Sequence, residues 1–273
     1  MTLPPGTNLI PNSQSIDDFA LSYIARSRVG LRSLFDNDNP TIAPQRRGVL
    51  LLCAMTTSTT SESRNGVGQT TIDLLSAALQ VDAAALHAVW SVESARASFQ
   101  ADGRPTILFE RHIFWRRLVA YGTDPQIHAA REPGLVSRAP GEYGSAASQH
   151  ARLARAENIH RAAARESASW GAFQIMGFHW RALGYDSIDT FVDAMYRDEA
   201  AHFDALARFL RLDPRLLPAL RAQNWSTFAF AYNGPAYRKN RYDEKLAHAY
   251  QQFKATTESL SSGGAPQQGF KIV

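Results

Sequence analysis

VDAAALHAVWSVESARASF, from Val81 to Phe99, has the marks of a helix that ends in a carboxylate. Asp82 can cap its start, with Val81 and Leu86 closing an apolar staple around the cap. Leu86, Val89 and Trp90 then recur at helical spacing, and the next position on that stripe is Glu93. A carboxyl group on an apolar helix face favours its protonated form, because the charge would lose its hydration. A general acid that protonates a glycosidic oxygen near neutral pH needs that property. The spacing by itself favours a plainer reading, a solvated helix end with Glu93 paired to Arg96, since functional carboxylates are a minority.

Glycosidases commonly work with two carboxylates across a cleft. DGRPTILFE, from Asp102 to Glu110, reads as a turn followed by a short strand, and it offers Asp102 and Glu110 as partners for Glu93. Each has an ordinary alternative. Asp102 can simply make an Asp-Gly turn, and Glu110 can pair with Arg111 or His112.

Outward from this segment, alanine-rich helical periodicity predicts helices over 72–80, 83–98, 112–121, 147–163, 170–183, 188–210, 214–221, 225–232 and 241–255. Arg131 to Gly144 holds three glycines and two prolines and is loop. Two further helices are expected near 15–35 and 46–55, ahead of a Thr-, Ser-, Gly- and Asn-dense stretch over 56–71 that suits a linker. The chain thus divides into an N-terminal accessory segment, 1–65, a principal domain, 66–256, and a flexible tail, 257–273.

With 273 residues, 45% hydrophobic and 20% charged, the chain is ordinary globular protein. No run approaches the ~20 apolar residues of a membrane span, and the N-terminus lacks the basic start and apolar core of a secretory signal. The single cysteine, Cys53, excludes an intramolecular disulfide and a Cys-based zinc site; its neighbours Leu51, Leu52, Ala54 and Met55 point to a buried, inert thiol. His-Glu-x-x-His, P-loop and Gly-x-Ser-x-Gly patterns are absent, so neither metal nor cofactor is expected. A net charge of +4 and a pI near 9.3 favour anionic partners, among them peptidoglycan, teichoic acid, lipopolysaccharide phosphates and nucleic acid, without choosing between them.

Four blocks go further: VES at 92–94, DGRPTILFERHIFWR at 102–116, ESASWGAFQIMGFHWRALGY at 166–185 and FAYNGPAYRKNRYDEKLAHAY at 230–250. In this order they resemble the N-acetylmuramidase family of phage endolysins over most of 75–255. They also look like diverged motifs of soluble lytic transglycosylases and goose-type lysozymes, with Glu93-Ser94, Gly171-Ala172-Phe173-Gln174 and Ala231-Tyr232-Asn233 at the matching positions. The resemblance implies a mainly α, lysozyme-like α+β fold with a small β-element between the catalytic helix and the helical bundle. It makes Glu93 the acid and places Gln174, Tyr232 and Asn233 along the cleft, with Ser94 and Glu166 as further candidate contacts to substrate. Plainer roles stay open: Gln174 can satisfy core backbone, Asn233-Gly234-Pro235 is an ordinary helix stop, and Glu166 can pair with Arg165. The tryptophans Trp115, Trp170 and Trp180 suit packing better than sugar stacking. The family commonly has glycines after Glu-Ser, where this chain has Ala95-Arg96-Ala97.

The implied activity is hydrolysis of the β-1,4 bond between N-acetylmuramic acid and N-acetylglucosamine, with Glu93 as acid and Glu110 or Asp102 as the second carboxylate. Two alternatives remain at this point: a lytic transglycosylase giving 1,6-anhydro ends, and a non-catalytic wall-binding module. Peptidoglycan strands are the expected partner, nucleic acid is not. A chain made in the cytoplasm without a signal sequence would reach the periplasmic wall through a holin-made lesion or on a type VI or other contractile device. The second route would add a secretion-spike protein and an immunity protein as partners, with 1–65 as the docking segment.

Overall fold

The structure is a computed structural model that describes residues 69–93 and 97–262. Ser94, Cys53 and the helices expected over 15–35 and 46–55 lie outside the described residues. The described chain is mainly helical with one three-stranded antiparallel sheet. Helix α1 (Gln69–Leu79) turns through Gln80 and Val81 into α2 (Ala83–Glu93), where the Asp82 carboxylate accepts from the Ala84 N–H at 2.9 Å. Capping of this kind satisfies a backbone donor that the first helical turn leaves free. α2 is described as far as Glu93, and the expected helix does not include 97 and 98, which are not helical.

Strand β1 (Ile107–Phe109) leads through Glu110 into α3 (Arg111–Ala120). Next comes α4 (Pro125–Arg131), which the periodicity did not reveal. Its signal is local instead: Asp124 caps the Gln126 N–H at 2.9 Å, and Pro125 sits in the first turn, where its missing donor costs nothing. After the loop over 132–145, α5 (Gln149–Glu166) runs into β2 (Ala168–Trp170) and β3 (Ile175–Met176).

The helix expected over 170–183 is therefore corrected to a hairpin and a short 3-10 turn at Gly177–His179. Trp170, Phe173 and Met176 imitate a helical period, but Gly171 (φ +70°) and Gln174 (φ 47°) take left-handed backbone and turn the chain back. A Cβ on Gly171 would stand 2.8 Å from the His202 ring, so the turn also needs the missing side chain. The expected 188–210 helix is likewise two helices, α6 (Ile188–Arg197) and α7 (Glu199–Leu210). Asp198 between them is extended and caps the Ala201 N–H at 2.8 Å. The short α8 (Leu216–Arg221) and α9 (Trp225–Asn233) precede a 3-10 segment (Pro235–Asn240) and α10 (Tyr242–Ser262), which continues past the expected helix end at 255.

Register divides the sheet into two faces. Ile107 pairs with Trp170, Phe109 with Ala168, and Trp170 with Ile175, and this face joins the main core. On the other face Leu108 pairs with Ser169 and Ser169 with Met176. Leu108 there packs with Tyr143, and Met176 with Ile113 and Phe178, apart from the main core. In the core itself, α2 lies against α10 and buries Leu86 and Val89. Each such side chain contributes about 1.5–3 kcal/mol by leaving water. That packing sets Glu93, at the end of α2, against the start of α10. Among the described residues no single helix is long and apolar enough to cross a membrane.

Candidate active site

Glu93 retains only 3% of its surface, and the Tyr242 hydroxyl donates to its Oε1 at 2.5 Å. Tyr242 opens α10 just after Arg241, which adopts left-handed backbone (φ 49°). Its ring lies parallel to that of Tyr232 at 6.2 Å, and Tyr232 in turn stacks on Phe228 at 5.3 Å and meets the edge of Phe209. A rigid column of rings therefore fixes the hydroxyl that fixes the carboxyl. Sequence reading missed Tyr242 as a site residue, although it stands inside the RYDEK part of the fourth block. Its partner is 149 residues away.

Glu110 lies on the sheet face turned away from the main core, two positions beyond Leu108, and is fully buried at 0% exposure. Of the two pairings open to it, the structure has the one with His112, whose Nδ1 is 3.1 Å from Oε2. The Arg111 guanidinium turns instead to the loop, donating to the Ala139 carbonyl at 3.1 Å and pairing with Glu142. Arg152 holds the same loop through the Gly134 and Glu142 carbonyls, at 2.7 and 2.8 Å. The loop so tied down brings Tyr143 within the electrostatic reach of the Glu110 carboxylate. Burial, together with that negative charge, raises the Tyr143 phenol above its ordinary value.

Asp102 is placed differently. It is exposed in the turn, takes a bidentate hold on Arg104 through Nε (2.9 Å) and Nη2 (2.6 Å), and accepts the Arg104 N–H at 3.0 Å. The Arg104 hydrogen bonds keep its carboxyl below the usual range. The Asp-Gly turn is thus its structural role, and its carboxylate is already committed.

Gln174 is buried, and its side chain closes the hairpin. Its Nε2 donates to the Gly171 carbonyl at 2.8 Å and the Thr106 carbonyl at 3.2 Å, while Oε1 accepts from Ser169 at 2.8 Å. Thr106 is linked in turn to the segment after Glu93, its hydroxyl donating to the Ala97 carbonyl at 2.5 Å. Gln174 therefore braces the junction between hairpin, β1 and the segment at Ala97.

Glu166 sits in a buried ionic lock, and its partner is not Arg165. Oε2 accepts from Arg117 Nε at 2.5 Å, while Oε1 accepts from the Tyr121 hydroxyl at 2.9 Å and Trp180 Nε1 at 2.8 Å. Four donor contacts from three residues leave no lone pair facing a ligand. Arg165 pairs with Glu157 and Asp189. Asn233 and Tyr232 are buried at the end of α9, at 1% and 2% exposure. The tryptophans serve the fold: Trp170 donates to the Arg165 carbonyl, Trp180 to Glu166, and Trp115 carries the Arg138 guanidinium at 4.8 Å. Among the described residues no three His, Cys, Asp or Glu side chains converge as metal ligands would.

The N-acetylmuramidase family model matches residues 82–254. A crystal structure of the Burkholderia AP3 phage endolysin is similar to the chain at 45% identity, with a TM-score of 0.68, over 72% of this chain and 75% of that one. No curated protein matches the chain in sequence. The match begins at the cap of α2 and ends within α10, so it spans the helix that carries Glu93, the sheet that leads to Glu110 and the tyrosine that holds Glu93. The chain belongs to the N-acetylmuramidase family, and it is a lysozyme-like glycoside hydrolase of peptidoglycan.

Proposed function

We propose that Glu93 protonates the glycosidic oxygen between N-acetylmuramic acid and N-acetylglucosamine, and that Glu110 is the second working carboxylate. The observation that carries this reading is that Glu93, at the end of its helix, is buried and its carboxyl is held by the Tyr242 hydroxyl. Between the two candidates for the second carboxylate, burial favours Glu110. A charge shielded from solvent stabilises a developing oxocarbenium more strongly than one already neutralised by Arg104 in water, as that of Asp102 is. Tyr232 and Asn233 back the acid, and Gln174 braces the hairpin beside it. The catalytic unit is assigned to 66–256, and 1–65 to an accessory segment.

The likeness to a phage endolysin supports release to the wall during phage lysis rather than delivery on a secretion spike with an immunity partner. Expression in bacterial cells with and without a co-expressed holin tests this: lysis is expected only with the holin. For the chemistry, Glu93→Gln keeps shape but removes the proton donor, and release of dye-labelled peptidoglycan should fall by ~10² or more. Activity within a few-fold of wild type removes Glu93 from the mechanism. Mass spectra of the muropeptides should show reducing muramic acid ends, and predominantly 1,6-anhydro ends would overturn water as the nucleophile.

A further inference from the structure

We infer that the corner between α3 and α4 is a docking surface for a bilayer of anionic phospholipid. Among the described residues seven large hydrophobic side chains stand exposed, and three of them, Val119, Tyr121 and Ile127, fall within 119–127. Val119 and Ile127 are the most exposed of the seven, at 57% and 55%. Single apolar residues scattered over a surface are ordinary, but a cluster marks a contact.

The fold turns these side chains into one corner. α3 ends at Ala120 and α4 begins at Pro125. The bend between them is tight, with the Thr123 N–H donating to the Leu118 carbonyl at 2.9 Å, and α4 packs back on α3. Each helix then shows solvent the same i, i+3, i+4 pattern: Arg116, Val119 and Ala120 on α3, or Ile127, Ala130 and Arg131 on α4. Residues at that spacing share a face, so each helix presents two apolar side chains beside one arginine. These are all the exposed residues of α3, and all of α4 except Gln126. Tyr121 fills the bend, its ring 4.4 Å from that of His160 and its hydroxyl held by Glu166.

Charge selects the partner. Residues 111–138 hold five arginines (111, 116, 117, 131 and 138) against Asp124 and Glu132, a net +3 in a chain of net +4. Arg111 and Arg117 are taken up by Glu142 and Glu166, and Glu132 by Arg155. The exposed cations of the corner are Arg116, Arg131 and Arg138, the last lying over the Trp115 ring at 4.8 Å, one turn before Val119. Its exposed acid is Asp124, whose carboxylate accepts the Gln126 N–H at 2.9 Å. An anionic polysaccharide or nucleic acid would meet the arginines and leave Val119 and Ile127 in water. An anionic phospholipid surface meets both, with guanidinium groups at the phosphates and the apolar side chains at the acyl boundary. Ala120 lies about 15 Å along α3 from Glu110, so this surface is distinct from the end of the helix that follows the carboxylate. Contact of this kind would keep a wall hydrolase beside the wall without a membrane span.

Flotation of the full chain with lipid vesicles tests this. The chain should bind vesicles of phosphatidylethanolamine and phosphatidylglycerol, and bind neutral phosphatidylcholine vesicles ~10-fold or more weakly. Val119→Ser combined with Ile127→Ser should weaken binding to the anionic vesicles ~10-fold, and Arg116→Gln combined with Arg131→Gln should remove most of the preference for them. Both double variants should keep the wild-type unfolding temperature and wild-type turnover of purified, lipid-free peptidoglycan. Absence of binding to the anionic vesicles overturns the proposal. So does binding that the serine pair leaves unchanged, since net positive charge alone then accounts for it. Lost turnover of lipid-free peptidoglycan by the folded serine pair also overturns it, by giving the corner to the wall rather than to lipid.

Discussion

Two of the imidazoles buried in the fold, those of His179 and His202, should make it labile to mild acid. His179 and His202 are 8% and 1% exposed, and burial holds both at about 4, well under the ordinary histidine value of 6.5. In the unfolded chain each takes up a proton near pH 6.5, whereas in the folded chain it does so only near pH 4. Their contribution to stability is therefore complete above pH 6.5 and is lost as the pH falls from there to about 4. A drop of that size corresponds to about 3 kcal/mol for each imidazole, so the pair removes about 6 kcal/mol from a fold of typical stability ~5–15 kcal/mol. His87 and His150, also lowered by burial, add in the same direction. Carboxylates such as Asp213, held low by its Arg215 hydrogen bonds, act only at lower pH. Urea unfolding of the full chain between pH 7.5 and 5 isolates the imidazole window. The slope should rise toward two protons or more per molecule as the pH approaches 5. His179→Phe is the clean perturbation. The ring packs on Phe178 and Phe209, and its Nδ1 has no hydrogen-bond partner among the described residues, so a phenyl ring replaces it with little strain. That variant should lose about one proton of slope. His202 is a poorer choice, because it accepts the Ala172 N–H and its other nitrogen meets the Met195 carbonyl at 2.8 Å. Stability that stays flat from pH 6.5 to 5, or an unchanged slope in His179→Phe, would refute the reasoning.

The remaining predictions separate fold from chemistry. Glu166→Gln breaks a buried ion pair with Arg117 and should cost about 3 kcal/mol or somewhat less, since Arg117 keeps 22% exposure, while turnover by the folded protein stays within a few-fold; calorimetry and dye release read the two effects. Tyr242→Phe keeps the stack on Tyr232 but removes the hydroxyl from Glu93, so kcat should drop ~10-fold or more with KM and unfolding temperature nearly unchanged. Asp102→Asn should leave turnover within a few-fold, whereas Glu110→Gln should nearly abolish it; the reverse ranking would return Asp102 to the mechanism. A chain beginning at Val67 should fold, by circular dichroism, and still cut purified peptidoglycan, and an insoluble or inactive product would place part of 1–65 within the catalytic core.

The site was legible in the sequence where chemistry and local structure coincide. Glu93 falls on the apolar stripe of its own helix, and that stripe is a matter of residues three and four apart. The Asp82 cap, the turn at Asp102 and the strand up to Glu110 are local in the same sense. Residue type misled where two structures share one pattern. Trp170, Phe173 and Met176 carry a helical period, yet β1, 61 residues back along the chain from Ser169 by its hydroxyl contact with Leu108, recruits this stretch into a sheet. Glu166 beside Arg165 looked like a neighbour pair, but adjacent residues on a helix point apart, and the cation that reaches the carboxylate comes from another helix.

What the sequence by itself determined is the mainly helical character, the family and the place of Glu93 on the apolar stripe of its helix, because caps, periods and motif order are written within a few residues of one another. The tertiary structure alone decided which hydroxyl holds Glu93, which cation meets Glu166, and that Glu110 lies sealed behind His112 and Tyr143 while Asp102 stands in water. Those pairings join residues 149, 49 and 33 positions apart, or depend on which face of a strand the core covers. No local pattern encodes them, since contact across such distances is fixed only when the packed helices and sheet bring the segments together and exclude the solvent between them.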